Sequence, residues 1–188
     1  MNHMIKAAML QPDPAAQFKP TTADVLVYAV ADIALGKVLV ARSTKGVCAI
    51  LLGDSAGRLA QDLAERFPNA VLVASKAMVR DDIARVLRYL AKPSNGLDLT
   101  LDIHGTPFQR RVWAQLKAIP AGGTVTYGEL ARQLSPASHP RAVATACAAN
   151  PIALAIPCHR VIRKDGDLAG YRWGLARKRA LIEKEASA

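Results

Sequence analysis

Residues 141–162 read RAVATACAANPIALAIPCHRVI: a helix pattern almost without side chains, a hard break, and then a cysteine, a histidine and an arginine inside an apolar run. A plain buried strand has no use for those three polar residues. Asn150-Pro151 is a strong turn signal, so the alanine-rich helix has to end there. Pro157 biases Ile156 towards an extended conformation and sets the backbone that delivers Cys158. The thiol is thus predicted on a stiff, non-helical segment punctuated by two prolines, which is a sensible way to aim a nucleophile.

Only a thiolate attacks well, and a free thiol has a pKa of about 8.5, so a reactive cysteine needs a base or positive surroundings. His159 and Arg160 are the candidates. In an extended chain successive side chains face opposite ways, so His159 is expected to reach Cys158 through a bridging water or a turn. A carboxylate behind the imidazole would hold its tautomer, and the final helix offers Glu183 and Glu185. Cys48, in GVCAILL, and Cys147, in ATACAAN, read as small buried hydrophobes. Three cysteines without a C-x-x-C spacing argue against a disulfide framework and a zinc ribbon, and His104 and His139 lack partners at metal-ligand spacing. No metal site is expected.

Outward from this stretch, FQRRVWAQLKAI puts Phe108, Val112, Leu116 and Ile119 on one helical stripe. TYGELARQL and PRAVATACAAN, joined by the turn SPASH, have the spacing of a helix-turn-helix. Small residues let the alanine helix come close either to a packed neighbour or to a nucleic-acid groove. Arg141, at its start, favours the groove, because an arginine there can reach past the backbone into a duplex. KPSNGLD, 92–98, is the candidate linker. Before it, DVLVYAVADIA, GKVLVARST and KGVCAILLG read as a strand meander. A helix capped by Ser55 carries Leu59, Leu63 and Phe67 and ends at Pro68; AVLVAS is another strand; a second helix carries Ile83, Val86, Leu87 and Leu90 on one face. The predicted organisation is a tail at 1–19, an α/β part at 20–95 and a mainly helical part at 96–188.

No run of about 18 apolar residues could span a bilayer, and the start lacks the order of a secretory signal, so a cytoplasmic location is expected. The net charge of +10 favours a polyanionic partner. Residues 158–179 hold Arg160, Arg163, Lys164, Arg172, Arg177, Lys178 and Arg179 against only Asp165 and Asp167. On charge alone a solvated basic face is an equal alternative.

With GTPFQRRVWAQLKAIPAGGTVTYGELA, RAVATACAANP and IPCHRVIRKDGDLAGYRWGLARKRALIEKE in this order, the chain resembles the O6-alkylguanine-DNA alkyltransferases, or methylated-DNA-protein-cysteine methyltransferases. RAVATACAAN and GYRWG are most similar to the catalytic part of bacterial adaptive-response proteins. The zinc-binding regulatory part of those proteins is not in this sequence, which implies a stand-alone transferase or a fragment of a longer regulator. The resemblance implies an α/β amino-terminal domain with a ribonuclease-H-like antiparallel sheet, then a mainly α domain with a winged-helix-like helix-turn-helix.

It further implies that Cys158 accepts the alkyl group from O6 of guanine, and from O4 of thymine as a second substrate. His159 acts as base through a water, Glu185 orients His159, Tyr127 donates to guanine N3, and Asn150 orders the turn before the cysteine. The backbone of Cys158 and Val161, with Tyr171 and Arg172, lines the guanine pocket. Arg141 fills the space of a flipped nucleotide, and the helix of Ala142 and Ala144 lies in the minor groove, with Thr126 and Gly128 beside it. Ala144 stands where many members have glycine. The implied partner is double-stranded DNA, bound without sequence preference by a monomer. No cofactor is implied, because the lesion supplies the alkyl group, and each molecule reacts once. A non-catalytic lesion-binding protein and a helix-turn-helix regulator are the alternatives; the acceptor cysteine argues against the first, and the bare recognition helix against the second.

Overall fold

The computed structural model describes residues 24–187; the expected tail at 1–19 lies outside the described residues, as does the start of the α/β part at 20–23. Val25–Ile33 (β1), Gly36–Arg42 (β2) and Val47–Gly53 (β3) form the meander that the β-branched runs predict, each antiparallel to the next. β3 is buried from Val47 to Leu52, covered on both faces, which is why VCAILL reads as a continuous apolar run without alternation. Ala56–Arg66 (α1) starts at Ser55, whose hydroxyl accepts from the Arg58 amide, and packs Leu59 and Leu63 against the sheet.

Helix α1 then carries the chain across the sheet, and Val71–Ala74 (β4) pairs with β1 in parallel. The sheet, ordered β3-β2-β1-β4, is therefore mixed and not antiparallel throughout as expected. A helical crossover is the connection that permits parallel pairing. Arg80–Ala91 (α2) buries Val86 and Tyr89, whereas Leu87, expected on the inner face, is 37% exposed. The inner stripe of α2 is rotated towards Tyr89. The expected linker at 92–98 contains a short 3-10 turn, Pro93–Asn95, with Pro93 buried.

The rest of the chain is mainly helical: Pro107–Ala118 (α3), Tyr127–Gln133 (α4), Pro140–Ala148 (α5) and Leu175–Ala186 (α6). Two short strands, Val125–Thr126 (β5) and Val161–Ile162 (β6), pair in parallel. Thr106 and Gln109 close a capping box on α3. Val112, Trp113 and Leu116 of α3 are buried, and the Trp113 indole donates to the Ala146 carbonyl at 2.8 Å, fixing α3 to α5.

The two parts meet at the outer edge of β3. The Val47 amide donates to Thr100 at 2.8 Å and its carbonyl accepts from Asp102 at 2.9 Å. Three residues on, Ile50 donates to Pro151 at 3.0 Å and accepts from Ala153 at 2.9 Å. Gly46 permits the first approach, since a Cβ there would stand 2.5 Å from the Thr100 carbonyl. A strand edge that would otherwise be open is thus covered by segments of the helical part. Among the described residues the fold is a mixed α/β one with a small sheet and six α-helices.

Candidate active site

The segment after α5 is held at both ends before it presents the cysteine. Asn150 is fully buried, and its amide nitrogen donates to the Ile156 carbonyl at 2.8 Å and to Cys158 Sγ at 3.3 Å. Its Oδ1 accepts from the Ile152 amide at 2.9 Å. One side chain therefore ties down three points of the loop whose middle is pinned to β3.

The expected extended conformation at Cys158 is not what the chain adopts. The Arg160 amide donates back to the Pro157 carbonyl at 3.0 Å, and Cys158–Arg160 form a 3-10 turn. A strand would send His159 and Arg160 to opposite faces; the turn lets both reach Glu185 on α6. His159 Nε2 lies 2.7 Å from Glu185 Oε1. Arg160 grips the same carboxylate in a fork, Nε to Oε2 at 2.8 Å and Nη2 to Oε1 at 2.9 Å. Tyr89 donates to Oε1 at 2.6 Å and the Gly122 amide to Oε2 at 3.2 Å. Arg160 also donates to the Ile119 carbonyl.

This arrangement fixes protonation states. Burial alone would raise the Glu185 carboxyl, but the hydrogen bonds from His159 and Arg160 hold it well below the usual carboxylate range. It is an anion, so His159 presents Nε2–H to it. Burial lowers the His159 pKa despite that partner, leaving the ring neutral, with Nδ1 buried and without a hydrogen-bond partner. Burial pushes the Cys158 thiol up to about 11, against the pull of the Asn150 hydrogen bond and the Lys178 charge. The resting group is a thiol, and His159 Nδ1 is a free acceptor on the next residue of the same turn.

Cys158 opens onto a cavity of about 600 Å³. Tyr127 of α4, Arg141, Ala144 and Ala148 of α5, and Arg163, Ala169, Gly170, Tyr171 and Arg172 of the segment before α6 line it. Burial pushes the Tyr127 hydroxyl up to about 12, so it is a proton donor at neutral pH. Tyr171 packs edge-on against Trp173, ring centroids 5.2 Å apart.

Of the residues singled out in the sequence, Cys158, Asn150, His159 and Glu185 come together in one hydrogen-bonded chain of contacts broken only between the thiol and the imidazole. Tyr127, Arg141, Ala144, Tyr171 and Arg172 share the cavity wall with Cys158. Val161 does not line it; its carbonyl accepts from Lys178 Nζ at 2.5 Å. Ala142 is outside the cavity, as are Gly128 and Thr126, and Thr126 caps α4 in a capping box with Glu129. His139 caps α5 through Nδ1, and His104 pairs with Asp102 at 3.0 Å.

The sequence reading missed several participants. Cys147, read as a core residue, is buried but lines the cavity. Tyr89 and Arg160 complete the shell of Glu185. Lys178 is fully buried and ties β6 to the loop opposite by donating to the carbonyls of Val161 and Leu168. The basic run 158–179 is in consequence neither a plain solvated face nor a plain anion patch: Arg160 and Lys178 are internal, and Arg172 and Arg177 are paired with Asp62 and Asp54.

Fold and site together define a protein with a thiol, Cys158, held by a tight turn on a cavity lined by helix and loop residues. Residues 107–187 match the family described as 6-O-methylguanine DNA methyltransferase, DNA binding domain. The chain is 36% identical over 170 residues to a methylated-DNA-protein-cysteine methyltransferase of Candida albicans, covering 96% of that protein and 85% of this chain. It is 48% identical over 159 residues to the bifunctional transcriptional activator/DNA repair enzyme Ada of Escherichia coli, with 85% of this chain and 45% of that protein covered. The chain spans about half the length of the Ada relatives. The crystal structure of Mycobacterium tuberculosis OGT in complex with DNA superposes with a TM-score of 0.67 at 31% identity, over 87% of this chain and 93% of that one. The chain belongs to the methylated-DNA-protein-cysteine methyltransferase family.

Proposed function

We propose that this chain repairs DNA by direct reversal, moving the alkyl group of O6-alkylguanine irreversibly onto Cys158. The observation that carries the reading is the arrangement beside the thiol: an anionic Glu185 fixes His159 as the neutral tautomer with Nδ1 free, one turn residue from a cysteine that opens onto a cavity roomy enough for a base. Sγ forms a bond to the alkyl carbon as the carbon–O6 bond breaks, and that electron pair returns to the base. The thiol proton passes to His159 through a water and finally to the guanine, so the reaction leaves a neutral guanine still joined to the strand. Tyr127 donates a hydrogen bond at guanine N3 while charge builds there, and Asn150 stabilises negative charge on sulfur. The thioether does not hydrolyse back, so each chain acts once.

Chemistry at O6 requires the nucleotide outside the stack, which costs a few kcal/mol and less for a poorly paired lesion. Arg141, exposed at the start of α5 and on the cavity wall, is placed to enter the duplex behind the extruded base. Helices α4 and α5 act as a helix-turn-helix with the small residues of α5, Ala142 and Ala144 included, against the minor groove, and with Thr126 and Gly128 at the α4 end. Such contacts give affinity without a sequence code. The division at 95/96 into a ribonuclease-H-like part and a DNA-binding part belongs to the same proposal, supported by the meander with its helical crossover and by the change to helices after it.

Incubation with a duplex carrying O6-methylguanine, followed by intact mass measurement, tests it. The expected result is one added methylene per chain, located on Cys158 and absent in Cys158→Ala. Tight lesion binding with no change in mass would sink the transferase reading and favour a lesion-flagging protein.

A further inference from the structure

Residues 169–172, a loop that lines the cavity with Cys158, are held both by α6 and from outside the helical part. Leu168 is tied by Lys178 on one side. Ala169 follows with φ +55°, a left-handed conformation that costs a residue with a Cβ about 1 kcal/mol and persists only where neighbours on both sides impose it. On the other side, Arg172 Nη2 donates to Asp62 Oδ1 of α1 at 2.7 Å, and Arg177 holds the Trp173 carbonyl at 2.8 Å while reaching Leu35 of the β1–β2 turn at 2.8 Å.

Asp62 is itself oriented. The same oxygen accepts from Arg66 Nε, one helical turn on, at 3.2 Å, and the Arg66 guanidinium is mostly buried. Arg172 is the residue shared by two neighbouring cavities, the one above Cys158 and a groove along α1 lined by Asp54, Arg58 and Asp62. Tyr171, the preceding residue, lines the cavity together with Cys158.

We infer that Asp62 is a positioning residue for alkyl transfer: from the sheet-bearing part it anchors Arg172 and so sets the loop wall of Ala169–Tyr171 at the distance the reaction needs. The inference rests on the transfer reading above and adds to it a residue that touches neither substrate nor thiol. It also gives the amino-terminal part a role in the chemical step, through a contact spanning 110 positions of sequence.

The test is a double-mutant cycle on single-turnover methyl transfer from a duplex with O6-methylguanine, with duplex affinity measured alongside. Asp62→Asn, which removes the charge from the oxygen that Arg66 and Arg172 share, should slow transfer at saturating duplex by roughly tenfold, the scale of a small misplacement of a reacting group, with affinity unchanged. Asp62→Glu, which retains the carboxylate, should recover most of the rate. Arg172→Gln should slow transfer similarly, and the double variant should be no slower than the slower single one, because both changes remove the same ion pair. Losses that multiply, a wild-type rate for Asp62→Asn, or a loss that vanishes at a lower temperature where the variant is fully folded would each overturn the inference. A wild-type chain that gains no methylene overturns the transfer reading and this inference with it; a reactive wild type beside an unimpaired Asp62→Asn overturns this inference alone.

Discussion

Glu185 is a carboxylate 5% exposed that satisfies a guanidinium, a neutral imidazole and a phenol at once, and its charge fixes the His159 tautomer. Replacing it by glutamine leaves the Arg160 guanidinium buried without a counter-charge, a change that costs about 3–5 kcal/mol. It also removes the anion that selects the Nε2–H tautomer, a loss worth about 10²–10⁴ in rate in related acid-base arrangements. Glu185→Gln is therefore expected to melt earlier and, assayed well below its melting point, to transfer methyl at least about a hundredfold more slowly; a near-normal rate would remove Glu185 from the mechanism. The pH profile follows from the same shell. His159 accepts a proton only when neutral, and burial sets its pKa below the ordinary 6.5. Single-turnover transfer should thus hold its rate from neutrality down through pH 6.5 and fall only below it, whereas a midpoint above 6.5 would mean that Glu185 outweighs burial. Cys158 was legible from its company, and Glu185 was one of two acids at the right end of the chain. Arg160 was not legible as part of the machinery, because a charge beside a nucleophile reads as activation and only the turn shows it facing away towards Glu185.

At the scale of elements, local patterns predicted most of what the chain forms, and the exceptions have physical causes. The strands of β1 to β3, the Ser55 cap and the stops at Pro68 and Asn150 follow from residues acting on their own neighbourhood. The 3-10 turn at Cys158 does not, since Pro157 fixes its own φ but leaves the next residues free to follow the long-range pull of Glu185. The inner stripe of α2 was misread by one residue because Tyr89 has a polar partner in the core, which hydrophobic periodicity does not register. Among the helices, α4 is the shortest at seven residues, too short to persist without its cap and packing. Thr126 supplies that cap by accepting from the Glu129 amide at 3.2 Å. Thr126→Ala should lower stability by about 1 kcal/mol and the melting temperature by about 2–4 °C. If Thr126 acts only as a cap, duplex affinity should change no more than that loss explains; a weakening well beyond it, measured by titration with unmodified duplex, would assign Thr126 a direct contact with DNA.

Across the whole molecule, the sheet and the helices share one apolar core, and the join at β3 places the reactive loop. Pro151 and Ala153 exchange hydrogen bonds with Ile50, Thr100 and Asp102 do so with Val47, and Ile152 is fully buried between them. None of this pairing is visible in the sequence, because a strand edge chooses its cover by shape from segments far along the chain, Thr100 for Val47 and Pro151 for Ile50, with no local signature. Its energetic weight is clear, however. An isolated fragment of residues 96–188 would lose the partners of four backbone groups, at about 1–3 kcal/mol for each that stays buried and unsatisfied, and would expose the core side of Trp113, Ile152 and Leu154. Set against a typical stability of 5–15 kcal/mol, that loss is sufficient to unfold it. The fragment is therefore expected to melt without a cooperative transition and to gain no methylene from O6-methylguanine duplex, although it carries Cys158, His159, Asn150 and Glu185. A cooperative melt together with a one-methylene gain by the fragment would show that the helical part builds the reactive loop without the sheet, and would leave β3 only a stabilising role.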